Sequence, residues 1–231
     1  RGAIQVLESS TTAGSSQAGL MDIILKESDR LNGIITNFLS YARPATAEFA
    51  DVDIREVLRE TLMLLKHSPD VQDGHELIDA TGDGPINLSG DASQLKQIFW
   101  NLSRNAILAM PDGGKLTVSI EKILDNRIRI TFADTGCGMP PEQVERLFEP
   151  FSSSRTGGTG LGLSIVYQIV RDHNGTISVR SQENKGTTII IDLPTDSKAL
   201  PAMAKHESDP PNPHLNKFLK VQKEDEVSLD L

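Results

Sequence analysis

The stretch GGTGLGLSIVYQIVRDHNGTISVRSQENKGTTIIIDLP, residues 157–194, decides how this chain is read. Glycine stands at 157, 158, 160 and 162, directly ahead of a run with helical apolar spacing over 161–173. Each Gly inside a helix costs about 1 kcal/mol against Ala, so glycines crowded at a helix start mark a loop that has to open and close. Backbone N–H groups unobstructed by a Cβ at a helix N-terminus form a ready anion site. The reading is a loop over phosphates. A plain flexible loop leaves the Gly160-Leu161-Gly162-Leu163 alternation without a reason. Asn174-Gly175 then turns into an alternating strand at 176–181, and Asn184-Lys185-Gly186 into another at 187–193.

Upstream of the loop stands LFEPF (147–151), whose two Phe either pin the base of the loop or simply pack in the core. Before it, DTGCGMP (134–140) ends a strand expected at 127–133. A carboxylate accepts a hydrogen bond from an exocyclic amine, which at Asp134 selects adenine over guanine. Gly136 and Gly138 let the backbone turn sharply beside a planar base. Any strand-ending turn has a similar look, so the motif alone is weak. Cys137 between the glycines reads as a small packed side chain rather than a nucleophile, because nothing near it in sequence pairs it with a base.

Further upstream, NLSRNA (101–106) lies in a helix from the capping Asp91 to Met110, apolar at Leu95, Ile98, Phe99, Leu102, Ala106 and Leu108. Asn101 and Asn105 are one turn apart on one face. An amide oxygen is a hard neutral ligand suited to Mg²⁺, which takes few protein groups and keeps water and phosphate oxygens. The alternative is two Asn on a helix surface or at a cap.

The rest of this unit reads as a helix at 53–66, strands near 75–79 and 85–89, a PDGG turn (111–114), strands at 115–123 and 127–133 joined by Asp125-Asn126, and a helix at 141–147. The expected class is α+β, a two-layer α/β sandwich with a mixed sheet under helices. No βαβ alternation and no Gly-x4-Gly-Lys-Ser/Thr phosphate loop are present.

Two flanks complete the chain. Apolar residues Leu20, Ile24, Leu31, Ile34, Phe38 and Tyr41 predict a narrow-seamed helix over 20–42, ended by Arg43-Pro44, with residues 1–8 folded back on it. Residues 1–44 are thus expected to be part of a helical hairpin that dimerises, packing on the next domain being the alternative. Residues 45–194 form the main domain, and 195–231, rich in Pro and charge, a disordered tail. The net charge of -9 argues against binding nucleic acid through phosphates. A single cysteine rules out an internal disulfide and fits a reducing, cytoplasmic compartment. No apolar run reaches the roughly 18 residues of a membrane span. The chain starts at Arg1 inside an apolar-patterned segment, so it reads as a fragment whose parent could be anchored in an inner membrane by a region upstream.

Taken together, NLSRNA, DTGCGMP, LFEPF, GGTGLGLSIV and KGTTIIIDLP (185–194) resemble the catalytic, ATP-binding domain of sensor histidine kinases, over about residues 45–194. LMDIILKESDRLNGIITNFLSYARP (20–44) resembles the second helix of their dimerisation and phosphotransfer hairpin, in the style of nitrogen- and pilus-regulation sensors. The resemblance implies the histidine-kinase/Hsp90-like ATPase fold, with ATP and Mg²⁺ as cofactors. It puts Asn105 on Mg²⁺ and Asn101 near the phosphates or metal. Asp134 would hold the adenine amine, with Gly136 and Gly138 beside the base and Thr187 supporting the adenine-side hydrogen bonds. Gly158, Gly160 and Gly162, with Thr159 and Leu161 between them, would line the triphosphate as the lid, and Arg155 would meet the γ-phosphate.

Two departures stand out. Leu108 occupies a position where many such kinases carry a basic residue, leaving Arg104 or Arg155 to supply that charge. The phospho-accepting His is absent; by the family layout it lies about three turns upstream of Arg1. His173, at a helix end before Asn174-Gly175, reads as a capping or packing residue. Gyrase-, chaperone- and mismatch-repair-type ATPases resemble this pattern but carry a water-activating Glu one turn before the metal Asn. Here that position is Asn101, which cannot act as a general base, so phosphoryl transfer is favoured over hydrolysis. The implied function is a two-component histidine kinase that phosphorylates a His outside this sequence and then a response-regulator Asp, the fragment alone being unable to autophosphorylate. The alternatives are an ATP-binding sensing or scaffold module without catalysis, or a related ATPase of the same fold class.

Overall fold

The computed structural model describes residues 47–152 and 160–196, together with Ile24 and Ser28. The chain divides into two units, 1–45 and 46–231. Of the hairpin helix expected at 20–42, only Ile24 and Ser28 are described, and both are helical. The expected tail lies outside the described residues from 197 onward.

The second unit opens with β1 (Ala50–Asp53), α1 (Ile54–Lys66), β2 (His75–Ala80), β3 (Asn87–Gly90) and α2 (Ala92–Leu108). It continues with β4 (Gly114–Ile123), β5 (Arg127–Asp134), α3 (Pro141–Glu145), α4 (Gly162–Asp172), β6 (Thr176–Gln182) and β7 (Gly186–Pro194). Five strands form one sheet in the order β2-β4-β5-β7-β6, and β1 pairs with β3 in a small second sheet. β2 and β4 are parallel; the other neighbours are antiparallel. The sheet is therefore mixed, as expected. Its parallel pair is joined by a crossover through β3 and α2, which the sequence reading had not foreseen.

Period-two alternation makes one face of the sheet apolar. Leu116, Val118 and Ile120 of β4, Ile128, Ile130 and Phe132 of β5, and Ile189, Ile191 and Leu193 of β7 are buried on it. The helices lay Leu95, Ile98, Phe99 and Leu102 of α2, Leu58, Leu62 and Leu65 of α1, and Ile165, Val166 and Ile169 of α4 into the same core. Phe99 meets Phe132 across the layers with ring centroids 6.0 Å apart. The other face is more polar, and Arg129 forks onto Asp192 at 2.8 Å on both arms.

The β4–β5 hairpin turns through a three-residue loop in which Asp125 and Asn126 are both at positive φ (62° and 52°), a backbone that Asp and Asn tolerate well. Asp91 caps α2 by accepting from the amides of Ser93 and Gln94 at 2.8 and 3.2 Å, worth about 1 kcal/mol. Among the described residues no helix is long and apolar enough to cross a membrane.

Candidate functional site

The last residue of β5 organises one end of the site. Asp134 Oδ1 accepts the Gly136 amide at 2.9 Å and the Thr187 amide at 3.2 Å. Asp134 and Thr187 are register partners across β5 and β7, so the sheet itself sets this pairing. Thr187 is buried, and its hydroxyl lies 2.9 Å from Ser181 Oγ on the neighbouring strand β6. Ser181 Oγ in turn accepts the Met139 amide at 2.9 Å, holding the far side of the DTGCGMP turn. The carboxylate is thus fixed at one oxygen by two backbone donors while the turn is clamped at both ends.

The glycines of that turn are required by close approach. A Cβ on Gly136 would lie 2.6 Å from the Ala109 carbonyl oxygen at the end of α2. Gly138 has φ +61°, and a side chain there would run into the Gln182 carbonyl. Cys137 donates its N–H to Ala109 O at 3.0 Å, and its carbonyl accepts from the Asn184 amide at 2.7 Å. Its thiol is exposed, not packed as the sequence suggested. The backbone is anchored while the side chain faces out.

Helix α2 supplies the amides. Asn101 and Asn105 are half-buried on one face, and among the described residues neither side chain has a hydrogen-bond partner in the protein. Asn105 O receives the Ala109 N–H, and Ala109 O receives that of Cys137, so the Asn-bearing helix runs directly into the DTGCGMP turn. The first residue of α4, Gly162, stands against Asn101: a Cβ there would lie 3.5 Å from Asn101 Oδ1. Leu161, ahead of it, is buried and takes the Ile165 amide and the Ser164 hydroxyl on its carbonyl.

Gly160 closes the loop that precedes α4. Its carbonyl accepts the Phe151 N–H at 3.1 Å, its φ is +66°, and a Cβ on it would meet the Phe151 backbone at 2.6 Å. Phe148 is buried and packs on Tyr167 of α4 with centroids 5.7 Å apart. Phe151, by contrast, has an exposed ring at positive φ, so one of the two Phe of LFEPF anchors through its side chain and the other through its backbone. Arg155, Gly158 and Thr159 lie outside the described residues. Arg104, one of the two candidates to compensate for Leu108, is bound to Asp70 at 2.6 Å.

The structure therefore gathers Asp134, Gly136, Gly138 and Thr187 at one end and Asn101 and Gly162 at the other, joined through Asn105 and Ala109. Sequence reasoning missed Ser181, Ala109 and Asn184. Ser181 carried a faint signal, a polar residue at the end of a strand; the other two act through backbone groups, which any residue type supplies. Among the described residues no cluster of His, Cys, Asp and Glu could hold a metal.

Comparison with known proteins identifies the family and the fold. Residues 90–197 match the family described as histidine kinase-, DNA gyrase B-, and HSP90-like ATPase. Sporulation kinase E of Bacillus subtilis (strain 168) is 35% identical over 199 residues, covering 86% of this chain and 27% of that protein. The catalytic domain of histidine kinase ThkA superposes with a TM-score of 0.59 at 30% identity, covering 65% of this chain and 97% of that one. A second structure, of ThkA in complex with the response regulator TrrA, gives a TM-score of 0.68 at 26% identity, covering 86% of this chain and 57% of that one. The chain thus spans about a quarter of the length of the curated relative named here. With the fold, the DTGCGMP turn and the match in agreement, the chain belongs to the histidine kinase-, DNA gyrase B- and HSP90-like ATPase family and carries the ATP-binding catalytic domain of a two-component histidine kinase.

Proposed function

We propose that the chain binds ATP with Mg²⁺ and transfers the γ-phosphoryl group to a His on a helical hairpin, from which it passes to an Asp of a response-regulator receiver domain. The observation that carries the reading is the pairing of a doubly anchored Asp134 carboxylate with Asn101, not a carboxylate, one turn before Asn105. Asp134 takes the adenine amine. Two N–H donors on Oδ1 hold the carboxylate oriented, so base selection needs no rearrangement. Gly136 and Gly138 keep side chains off the base, and Thr187 with Ser181 fixes the wall behind it.

At the phosphate end, Gly160, Leu161 and Gly162 lead into the N-terminus of α4, and the backbone amides of a helix start favour anionic oxygens. Arg155, Gly158 and Thr159 belong to the same proposal as parts of the lid. Asn105, with Asn101 beside it, fits Mg²⁺ on the chemistry of its donor: a half-buried neutral oxygen that, among the described residues, has no protein partner and no carboxylate cage around it. When bound, the ion would supply charge neutralisation for the triphosphate. Asn101 cannot take a proton from water, which disfavours hydrolysis and leaves a positioned imidazole as the nucleophile. The chain's own part is then to orient the triphosphate, exclude water under the lid and present the γ-phosphorus. Dimerisation through residues 1–44 belongs to the same proposal.

The test is a mixing experiment. The chain is incubated with γ-labelled ATP and Mg²⁺ together with a separately made hairpin carrying the acceptor His. Label should appear on the hairpin and chase to a receiver domain. Measurable ATP binding with no label on the hairpin would leave the non-catalytic sensing module as the correct reading.

A further inference from the structure

The buried His173 lies at the opposite end of α4 from the nucleotide site and has no part in the chemistry above. It is 3% exposed. Its Nε2 accepts the Asp91 N–H at 3.1 Å, so Nδ1 carries the proton and donates to Ile169 O at 2.9 Å. Phe49 stacks on the ring with centroids 4.8 Å apart. Gly90 has no room for a side chain there: a Cβ would lie 3.1 Å from the ring and 2.7 Å from Leu88. Asp91 is shared by three elements. Its Oδ1 caps α2, its backbone N–H meets His173, and its Oδ2 accepts the Glu48 N–H at 3.0 Å.

These contacts fix how two helices are set along one another. The start of α2, at Asp91, touches the end of α4, at His173; the start of α4, at Gly162, meets α2 further along, at Asn101. The helices are therefore antiparallel. Asn101 stands ten residues beyond Asp91 and Gly162 eleven before His173, about 15 and 16 Å of helix at 1.5 Å per residue. The two lengths match, so a pin at one end determines the contact at the other.

We propose that His173 is a positioning residue for nucleotide binding: it locks the axial register of α4 against α2 and so places the glycine-led N-terminus of α4 over Asn101. The Glu48–Phe49 segment, through which the chain enters this domain, is tied to the same pin, so a change in that segment reaches the nucleotide site along a rigid helix. This rests on the proposed nucleotide-binding reading. It goes beyond that reading in assigning a function to a residue far from the phosphates. A slip by one residue is about 1.5 Å, and misplacement on that scale is enough to weaken a positioned contact.

The test uses the full chain with two variants and two readouts. His173→Phe keeps the packed ring but can neither accept the Asp91 N–H nor donate to Ile169 O. Phe49→Ala removes the stacking partner from the surface side, and it serves if His173→Phe does not fold. Affinity for ADP with Mg²⁺ is measured by calorimetry. Amide exchange is followed at Ile165, whose N–H bonds Leu161 O at 3.0 Å, with Ile130 in the sheet as reference. The expected result is ADP binding weaker by about fivefold or more in His173→Phe and a smaller loss in Phe49→Ala. Exchange at Ile165 should rise in both variants relative to Ile130. Lowered melting temperature with unchanged ADP affinity and an unchanged Ile165-to-Ile130 ratio would make His173 a packing residue only, overturning the proposal. If the parent chain fails to bind ADP, the nucleotide reading fails by itself. The exchange ratio in the nucleotide-free chain then still decides whether His173 holds the start of α4.

Discussion

Asp134→Asn is the sharpest perturbation of the proposed adenine contact, because it alters one oxygen while leaving the other's geometry intact. The Asn carbonyl oxygen replaces Oδ1 and still accepts from Gly136 and Thr187, at 2.9 and 3.2 Å in the native turn. The second oxygen becomes an NH2 group and faces the adenine amine donor to donor. A hydrogen bond to a charged group is worth about 1.5–3 kcal/mol, which at about 1.4 kcal/mol per tenfold is a loss of roughly 10- to 150-fold in ADP affinity. The fold keeps both bonds. They pass from charge-assisted to neutral, about 1 kcal/mol each, or several degrees of melting temperature. Calorimetry with ADP and with inosine diphosphate separates the cases, since hypoxanthine presents an acceptor where adenine presents the amine. The native chain should prefer ADP, and the variant should lose or invert that preference. An ADP-over-inosine-diphosphate ratio equal in both proteins, with both still folded, would refute the role of Asp134.

Asn105→Ala is expected to weaken ADP binding by about tenfold or more in excess Mg²⁺ and to change it little in EDTA; equal affinities in Mg²⁺ would remove Asn105 from the metal. Stability should fall with acid below pH 6.5, the ordinary His value, because burial holds the His173 imidazole below it, against the opposing pull of the Ile169 carbonyl, Asp91 and Asp172. The unfolded chain binds that proton more readily, so this contribution is complete above pH 6.5 and declines below it by at most about 1.4 kcal/mol per pH unit; His173→Phe should flatten denaturation midpoints across the same range. Arg55→Met is expected to raise the melting temperature: the residue is 6% exposed, and its buried Nε and Nη1 have no hydrogen-bond partner among the described residues, beside an open cleft of about 360 Å³; replacing buried charged groups by apolar ones is often neutral or stabilising by about 1–4 kcal/mol. A drop in melting temperature would mean that those donors are satisfied by a ligand or water. Gly138→Ala should abolish nucleotide binding and lower stability, since φ is +61° and the methyl would meet the Gln182 carbonyl; calorimetry and a melt on one sample check both.

What the sequence made legible follows from what each signal encodes. Period-two runs placed β4 to β7 within a residue or two, because one face of each strand had to be buried and the alternation records that face. β1 was invisible. Ala50–Asp53 buries Val52 alone and exists because Leu88 lies across from it, a pairing only the folded chain reveals. The parallel β2–β4 pair was equally hidden, since β2 buries too little to show a pattern and its partner is chosen by the α2 crossover. In the site, the positions of side chains in the fold were legible: Asp134 ends β5, Asn101 and Asn105 lie on α2, and Thr187 lies on β7. Contacts made by backbone were not, and Ala109 O, which takes the Cys137 N–H and excludes any side chain at Gly136, has no residue-type signature.

That division bears on how selectivity and closure are separated in this domain. The adenine end rests on two sheet strands, a buried Thr, and a turn in which Gly136, Gly138 and Gly186 are each held against backbone. On the proposed reading, its donors and acceptors are in place before a base arrives, so the ordering cost of recognising adenine would be met on folding and little added at binding. The phosphate end is built differently. Its described parts meet the rest of the domain at two places, the Phe151–Gly160 bond and the close approach of Gly162 to Asn101. A domain made this way chooses its base with the fixed end and commits the triphosphate with the other. Substitutions at Asp134 or Thr187 should therefore alter which nucleotide binds, and substitutions at Gly160 or Gly162 how long the triphosphate stays. On the proposed reading, with Asn101 in place of a base, bound triphosphate would end in transfer or release and not in hydrolysis.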